Sequence, residues 1–218
     1  MLEQPAAPTA PIGGDAADRI LTAAEALFAE HGYDAVSMTA VAALAGVSKA
    51  NIFHHFTSKN ELYIAVLRAA CKNSIDNLHQ LESDPRPLAE RLTQFAQEHL
   101  NDILQHHQVS RLILRELLQN GTSRGQELAD QVFGDKFQWF VRILRAGQAS
   151  GELRADTDPA MIATLLIGAN VFYFESREVL RHFPDMQSAL DPERYTRQLV
   201  DILLRGILPA TPRPSGSG

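Results

Sequence analysis

Lys49, Ala50 and Asn51, just past a Gly-Val pair, carry side chains suited to reading another molecule by its edges. A lysine donates to a guanine edge or a phosphate, an asparagine pairs bidentately with adenine, and an alanine methyl packs on the methyl of thymine. Hydroxyls and a second ammonium recur nearby. Ser37, Thr39, Ser48, Thr57 and Lys59 fall at or beside expected helix starts, where free backbone amides add donors for phosphate. Phe53, His54 and His55 complete the stretch. His55 is expected to face outward with Phe53 near the edge, and His54 to pack as a neutral ring. An imidazole titrates at about pH 6.5, so contact through either histidine would make affinity for an anionic partner depend on pH.

These side chains act together only if the backbone presents them on one surface. A first helix is expected from about Asp15 to His31, with Ile20, Ala24, Leu27 and Phe28 on one face and Gly32 as its stop. Ser37 caps a second, which buries Val41, Ala42 and Ala45 before Gly46 ends it, and Ser48 caps a third with Ile52 and Phe56 inward. Ser58 and Glu61 have the spacing of a capping box opening a fourth, which the pattern allows to continue past Asn77. At Ala45-Gly46-Val47-Ser48 two short helices meet. Gly46 permits a left-handed turn and Val47 can plug the angle, the arrangement of a helix-turn-helix whose second helix enters the major groove of double-stranded DNA.

The rest of the chain bounds the alternatives. It has 218 residues, 45% of them hydrophobic, with apolar positions at helical spacing throughout, so the fold class is all-α. A formal net charge of −6 argues against holding nucleic acid by bulk electrostatics, and any DNA contact must be local. Cys71 stands alone, which excludes an internal disulfide and a cysteine-based zinc site. No secretory pattern opens the chain, and the apolar stretch Met161 to Phe174 falls short of the roughly 20 residues a bilayer span needs. A cytoplasmic protein without membrane association is expected. No G-x-S-x-G, phosphate-cradling loop, H-E-x-x-H or paired-cysteine motif is present, so no catalytic residues and no cofactor are assigned. Glu98, His99, His106 and His107 share part of a helical surface, but a solvated face explains them without a metal.

Four regions are expected: a disordered extension over 1–14, a helix-turn-helix domain over 15–70, a larger helical body over 71–208, and a disordered tail over 209–218. The body reads as helices over Leu88 to His107, Ser110 to Gln119, Arg124 to Ala149, Pro159 to Arg181 and Pro192 to Leu208, about nine in all with the head. Its middle helices carry an excess of bulky apolar residues, where a pocket for a small molecule would sit. Phe95, Ile103, Leu114, Leu118, Phe137, Val141 and Phe174 are the apolar candidates for its lining, and His107, Arg115, Gln138, Asn170 and Glu175 the polar ones. A moderately apolar or aromatic ligand suits that composition. Met161, Ile162, Leu165, Leu166, Ala169 and Phe172 form one apolar stripe, and Tyr195, Leu199, Ile202, Leu203 and Ile207 another. Two such helices from each of two subunits can build a four-helix interface.

Ile20-Leu21-x-Ala23-Ala24-x-x-Leu27-Phe28-x-x-x-Gly32-Tyr33, then Val41-Ala42-x-x-Ala45-Gly46-Val47-Ser48 and Phe56-x-Ser58-Lys59-x-x-Leu62, resemble the TetR/AcrR family of bacterial repressors across residues 16–67 without a gap. The resemblance implies a ligand-responsive repressor that binds an inverted repeat as a homodimer through its last two helices. Phe53 departs from the family where many members carry a tyrosine whose hydroxyl reaches a phosphate. The segment before Arg19 lacks Lys and Arg, so no minor-groove arm is expected.

Overall fold

The computed structural model describes residues 15–186 and 191–207, apart from the side chains of Asn120, Thr122 and Ile207. The expected extension over 1–14 and tail over 209–218 lie outside the described residues. Among the described residues there are ten α-helices, a π-helical turn and no strand. They are α1 (Ala16–His31), α2 (Met38–Ala45), α3 (Lys49–His55), α4 (Lys59–Ala70), α5 (Asn73–Ser83), α6 (Leu88–Gln105), α7 (His107–Leu128), α8 (Gly134–Ala149), α9 (Pro159–Leu180) and α10 (Pro192–Ile207), with the π turn at Ala129–Phe133. The all-α expectation therefore holds.

Two compact units divide the chain. Of the described residues, the first joins those up to Cys71 to His107–Val132, and the second joins Lys72–His106 to those from Phe133 onward. In the first, α1 packs on α2, α3, α4 and α7. Ile20, Ala24, Phe28, Val41, Ile52, Leu62, Val66 and Leu67 are its buried core. Phe28, Tyr33 and Tyr63 pack ring against ring, with Tyr63 4.9 Å edge-on from Phe28 and 4.8 Å from Tyr33. In the second, α6 packs on α5, α9 and α10, and α8 packs on α5 and α9. Leu88, Leu92, Phe95, Phe140, Leu144, Ile162, Leu166 and Val200 share one core.

Three features depart from the sequence pattern. The helix after Ser58 ends at Ala70 and α5 starts at Asn73, with Cys71 and Lys72 between them in neither helix. Gly121 breaks nothing. The helix runs through it from His107 to Leu128, as burial of Leu112, Glu116 and Leu128 outweighs about 1 kcal/mol of glycine propensity. The irregularity falls instead at the π turn. The third is α9, whose 22 residues are long and apolar enough to cross a bilayer by length and composition. One face of it is buried through Ile162, Ala163, Leu166, Asn170, Tyr173 and Phe174.

α6 and α8 approach closely at Gly147, where an added Cβ would stand 2.2 Å from Leu88 Cδ2 and 3.3 Å from Leu153 Cδ1. Leu88 is buried, so admitting a methyl there means repacking its side chain within the core. Gly147→Ala is therefore destabilising: overpacking costs about 1–3 kcal/mol, offset in part by about 1 kcal/mol of better helix propensity. Urea unfolding should show a lower midpoint at unchanged slope. A second prediction concerns His99 on α6, where burial pushes the imidazole down to about 4 against the opposing pull of Asp102. The unfolded chain takes up this proton near its ordinary value of 6.5, whereas the folded chain refuses it until about 4. Stability is thus full above about pH 6.5 and falls as pH drops from there toward 4. His99→Leu should flatten that slope in urea midpoints measured between pH 7 and 4.

Candidate nucleic-acid interface

α2 closes on Gly46, which takes the left-handed conformation at φ 65° and ψ 37°. Its N–H donates to Ala43 O at 3.4 Å, and the Val47 N–H reaches back to Ala42 O at 3.1 Å. This pair is the Schellman arrangement, which satisfies carbonyls the helix end would leave free. The chain then turns at once into α3, where Ser48 Oγ accepts from Asn51 N at 3.1 Å. Ser37 caps α2 by accepting from Ala40 N at 3.0 Å, and Ser58 caps α4 by accepting from Glu61 N at 3.1 Å. All three caps follow the sequence pattern.

Ile52 and Phe56 turn inward and anchor α3. With 100° per residue, the face opposite Ile52 belongs to Ala50 and His54, flanked by Phe53. Those three and Lys49 are exposed, while Asn51 and His55 are half-buried. The expected order of the two histidines is reversed. His55 lies one turn beyond Ile52, with its ring 6.4 Å from that of Phe56, whereas His54 projects to solvent. Asn51 Oδ1 is shielded from solvent and has no hydrogen-bond partner. A bidentate contact with adenine requires that amide to rotate outward. Lys49 Nζ lies 6.0 Å from the centroid of the Phe53 ring, one turn along.

The helix starts on either side of α3 carry the other candidates. Ser37 and Thr39 are exposed at the start of α2. At the start of α4, Glu61 accepts from Thr57 N at 2.7 Å and from Thr57 Oγ1 at 2.5 Å. Both bonds hold the Glu61 carboxyl below its ordinary range, so it stays ionised and keeps Thr57 fixed. Lys59 is half-buried, its Nζ donating to Asp34 O at 3.2 Å and sitting 4.4 Å above the Tyr33 ring.

Sequence periodicity passed over a polar network in the same unit. Arg124 on α7 donates from Nη1 to Glu116 Oε1 at 2.8 Å, from Nε to Glu127 Oε2 at 2.9 Å and from Nη2 to Asn60 Oδ1 at 2.7 Å. Asn60 Nδ2 donates in turn to Glu127 Oε1 at 2.7 Å, and Tyr63 Oη to Glu116 Oε2 at 2.9 Å. The bonds from Asn60 and Arg124 hold the Glu127 carboxyl below its ordinary range, while burial and the bond to Glu116 push the Tyr63 phenol up. The i, i+3 spacing of Arg124 and Glu127 was a usable signal, but nothing local points from them to Asn60.

The residues expected to contact a small molecule divide between the units. His107, Leu114, Arg115 and Leu118 lie on α7 in the first, with Leu118 77% exposed. Phe95, Ile103, Phe137, Gln138, Val141, Asn170, Phe174 and Glu175 lie in the second. Phe95 packs with Phe137 and Val141 against one core, and Ile103, Asn170 and Phe174 are buried, whereas Gln138 and Glu175 are exposed. Asn170 Nδ2 donates to Ala96 O at 2.8 Å and lies 3.1 Å from His99 Nδ1, while its Oδ1 is buried without a partner. His99, read from the sequence as part of a solvated face, is thus half-buried against Asn170, and His106 pairs instead with Asp102 at 3.0 Å.

The chain matches two family models: bacterial regulatory proteins of the tetR family over residues 20–66, and the tetracyclin repressor-like C-terminal domain over residues 87–203. It is 34% identical over 116 residues to the HTH-type transcriptional regulator RutR of Escherichia coli, a match covering 53% of this chain and 52% of that one. The chain thus spans about half the length of this curated relative. Over 62 residues it is 42% identical to the HTH-type transcriptional activator FasR of Mycolicibacterium smegmatis, covering 28% of each. Its fold is similar to that of the fatty acid degradation regulator FadR from Bacillus halodurans, with a TM-score of 0.72 at 19% identity over 87% of this chain and 98% of that one.

The interface makes two separable predictions in a DNA titration. Lys59→Ala should weaken binding to every duplex and reduce the slope of log K against log salt by about 1. Asn51→Ala should relax preference at one base position, by about 1–3 kcal/mol if its amide swings out to a bidentate contact. Equal, sequence-independent losses for both would remove Asn51 from base reading.

Proposed function

The chain belongs to the TetR family of bacterial regulatory proteins, and from that premise we propose that it is a cytoplasmic transcriptional repressor. It grips an inverted-repeat operator as a homodimer and releases it when a small molecule binds. The observation that carries the reading is the exposed face of α3, anchored by Ile52 and flanked by the capped starts of α2 and α4. Lys49, Ala50, Phe53 and His54 meet the base edges, with Asn51 joining them on rotation. Ser37, Thr39, Ser48, Thr57, Lys59 and the edge of His55 meet the backbone.

The dimer is supported by what α9 leaves uncovered. Met161, Leu165, Phe172 and Val179 are each about half exposed or more, at spacings of four, seven and seven residues, with Gly168 open between them. Ile202 on α10 is 71% exposed. Large apolar side chains in such a row call for a partner surface, and the same two helices of a second copy supply one around a two-fold axis. Two heads then address half-sites about 34–36 Å apart, one turn of DNA.

The effector reading rests on the aromatic core of the second unit, where the Phe95 and Phe140 rings pack at a tilt with centroids 4.6 Å apart, and on the unsatisfied Asn170 Oδ1. A moderately apolar or aromatic molecule with a hydrogen-bond donor fits both features. It moves the equilibrium only by binding the released form more tightly than the operator-bound one. Activation is the second reading, favoured by the activator named among the relatives.

The test is selection of randomised duplex DNA by the purified protein at a fixed salt concentration, with the oligomeric state measured alongside. An inverted repeat and a dimer are expected, and Leu165→Glu with Phe172→Glu should yield a monomer with affinity for the repeat near that for a half-site. A wild-type monomer that retains an unrepeated site would contradict the proposal.

A further inference from the structure

We propose that Arg124, some seventy residues after the helix-turn-helix in sequence, is a positioning residue for DNA binding. It sets the first turn of α4 and hence the phosphate-facing pair of Thr57 and Lys59 on either side of the Ser58 cap. The inference rests on the reading of the head as a DNA-binding module.

Its guanidinium uses all three nitrogens, on Glu116, Glu127 and Asn60. Asn60 is the second residue of α4 and directly follows Lys59. Because Asn60 also donates to Glu127, the amide is held at both ends in a closed ring of Arg124, Glu127 and Asn60. The start of α4 therefore cannot rotate or slide without breaking charge-assisted bonds. A second route reaches Lys59 itself. The Arg124 guanidinium carbon is 5.7 Å from the Tyr33 ring and 5.6 Å from the Tyr63 ring, and Lys59 Nζ sits over the same Tyr33 ring. Two cations thus share one aromatic ring, and the place of one constrains the other. Glu116 is only 2% exposed, so its carboxylate depends on this partner. Lysine cannot replace the planar fork: one ammonium cannot reach three acceptors in these directions.

A residue serving only to hold the unit together would lower stability and the active fraction while leaving the affinity of folded molecules unchanged. The test separates these cases with full-length Arg124→Gln and Arg124→Lys, alone and combined with Lys59→Ala. The probe is the duplex retained from the randomised pool, with active fraction fixed first by stoichiometric titration. Both Arg124 variants should bind about tenfold more weakly per active molecule, the scale of one charge-assisted hydrogen bond. Lys59→Ala should cost less in the Arg124→Gln background than alone, and hydrogen exchange should quicken at residues 59–63 in both single variants. Unchanged affinity per active molecule, additive losses with Lys59→Ala, or unchanged exchange at 59–63 would each overturn the role of Arg124. Should Arg124→Gln not fold, Arg124→Lys and Glu127→Gln carry the same comparisons. Failure of the wild-type protein to retain any duplex would instead overturn the DNA-binding reading beneath it.

Discussion

Everything the head can do with another molecule depends on one residue being able to take a left-handed turn. At Gly46 the backbone reverses hand for one residue, so the Val47 and Gly46 amides pay back two carbonyls of α2 while the chain is redirected into α3. A side chain at that φ is strained, and any relaxation would change the angle at which α3 leaves α2. Ser48 then starts α3 without delay, and Ile52 fixes its rotation by being wholly buried. The outward direction of Ala50, Phe53 and His54 follows from that single anchored position and the helical repeat.

The head is nevertheless larger than its helix-turn-helix. α7 packs on α1 and α4, and its polar residues close around the start of α4. A buried carboxylate such as Glu116 is expensive unless paired, and here Arg124 and Tyr63 both serve it. The acidic balance of the chain is consistent with this economy. Its cations near the candidate interface are few, and Lys59 is held by the Asp34 carbonyl and the Tyr33 ring rather than left free.

What was legible in the sequence was what local chemistry decides. Ser37, Ser48 and Ser58 declare helix starts because a hydroxyl satisfies an amide three residues on, and Gly46 declares a turn because only glycine adopts it cheaply. The core positions Ile20, Phe28, Val41 and Ile52 follow from helical spacing. What was not legible depends on distant partners. Gly121 reads as a stop but lies inside a helix that tertiary contacts sustain. His99 reads as surface but is half-buried beside Asn170, and His54 and His55 exchange places although Ile52 and Phe56 turn inward as expected, since 100° per residue puts His54 opposite Ile52 and His55 one turn beyond it. The grouping of 107–132 with α1 to α4 has no local marker at all.

On the proposed function, two copies of α3 enter successive major grooves on one side of the duplex. Methylation protection on a bound duplex tests it directly, since guanine N7 lies in the major groove and adenine N3 in the minor. Two patches of guanine protection related by symmetry are expected, about 10 base pairs apart on one face, with adenine N3 left reactive. A single patch, or protection confined to adenine N3, would contradict it.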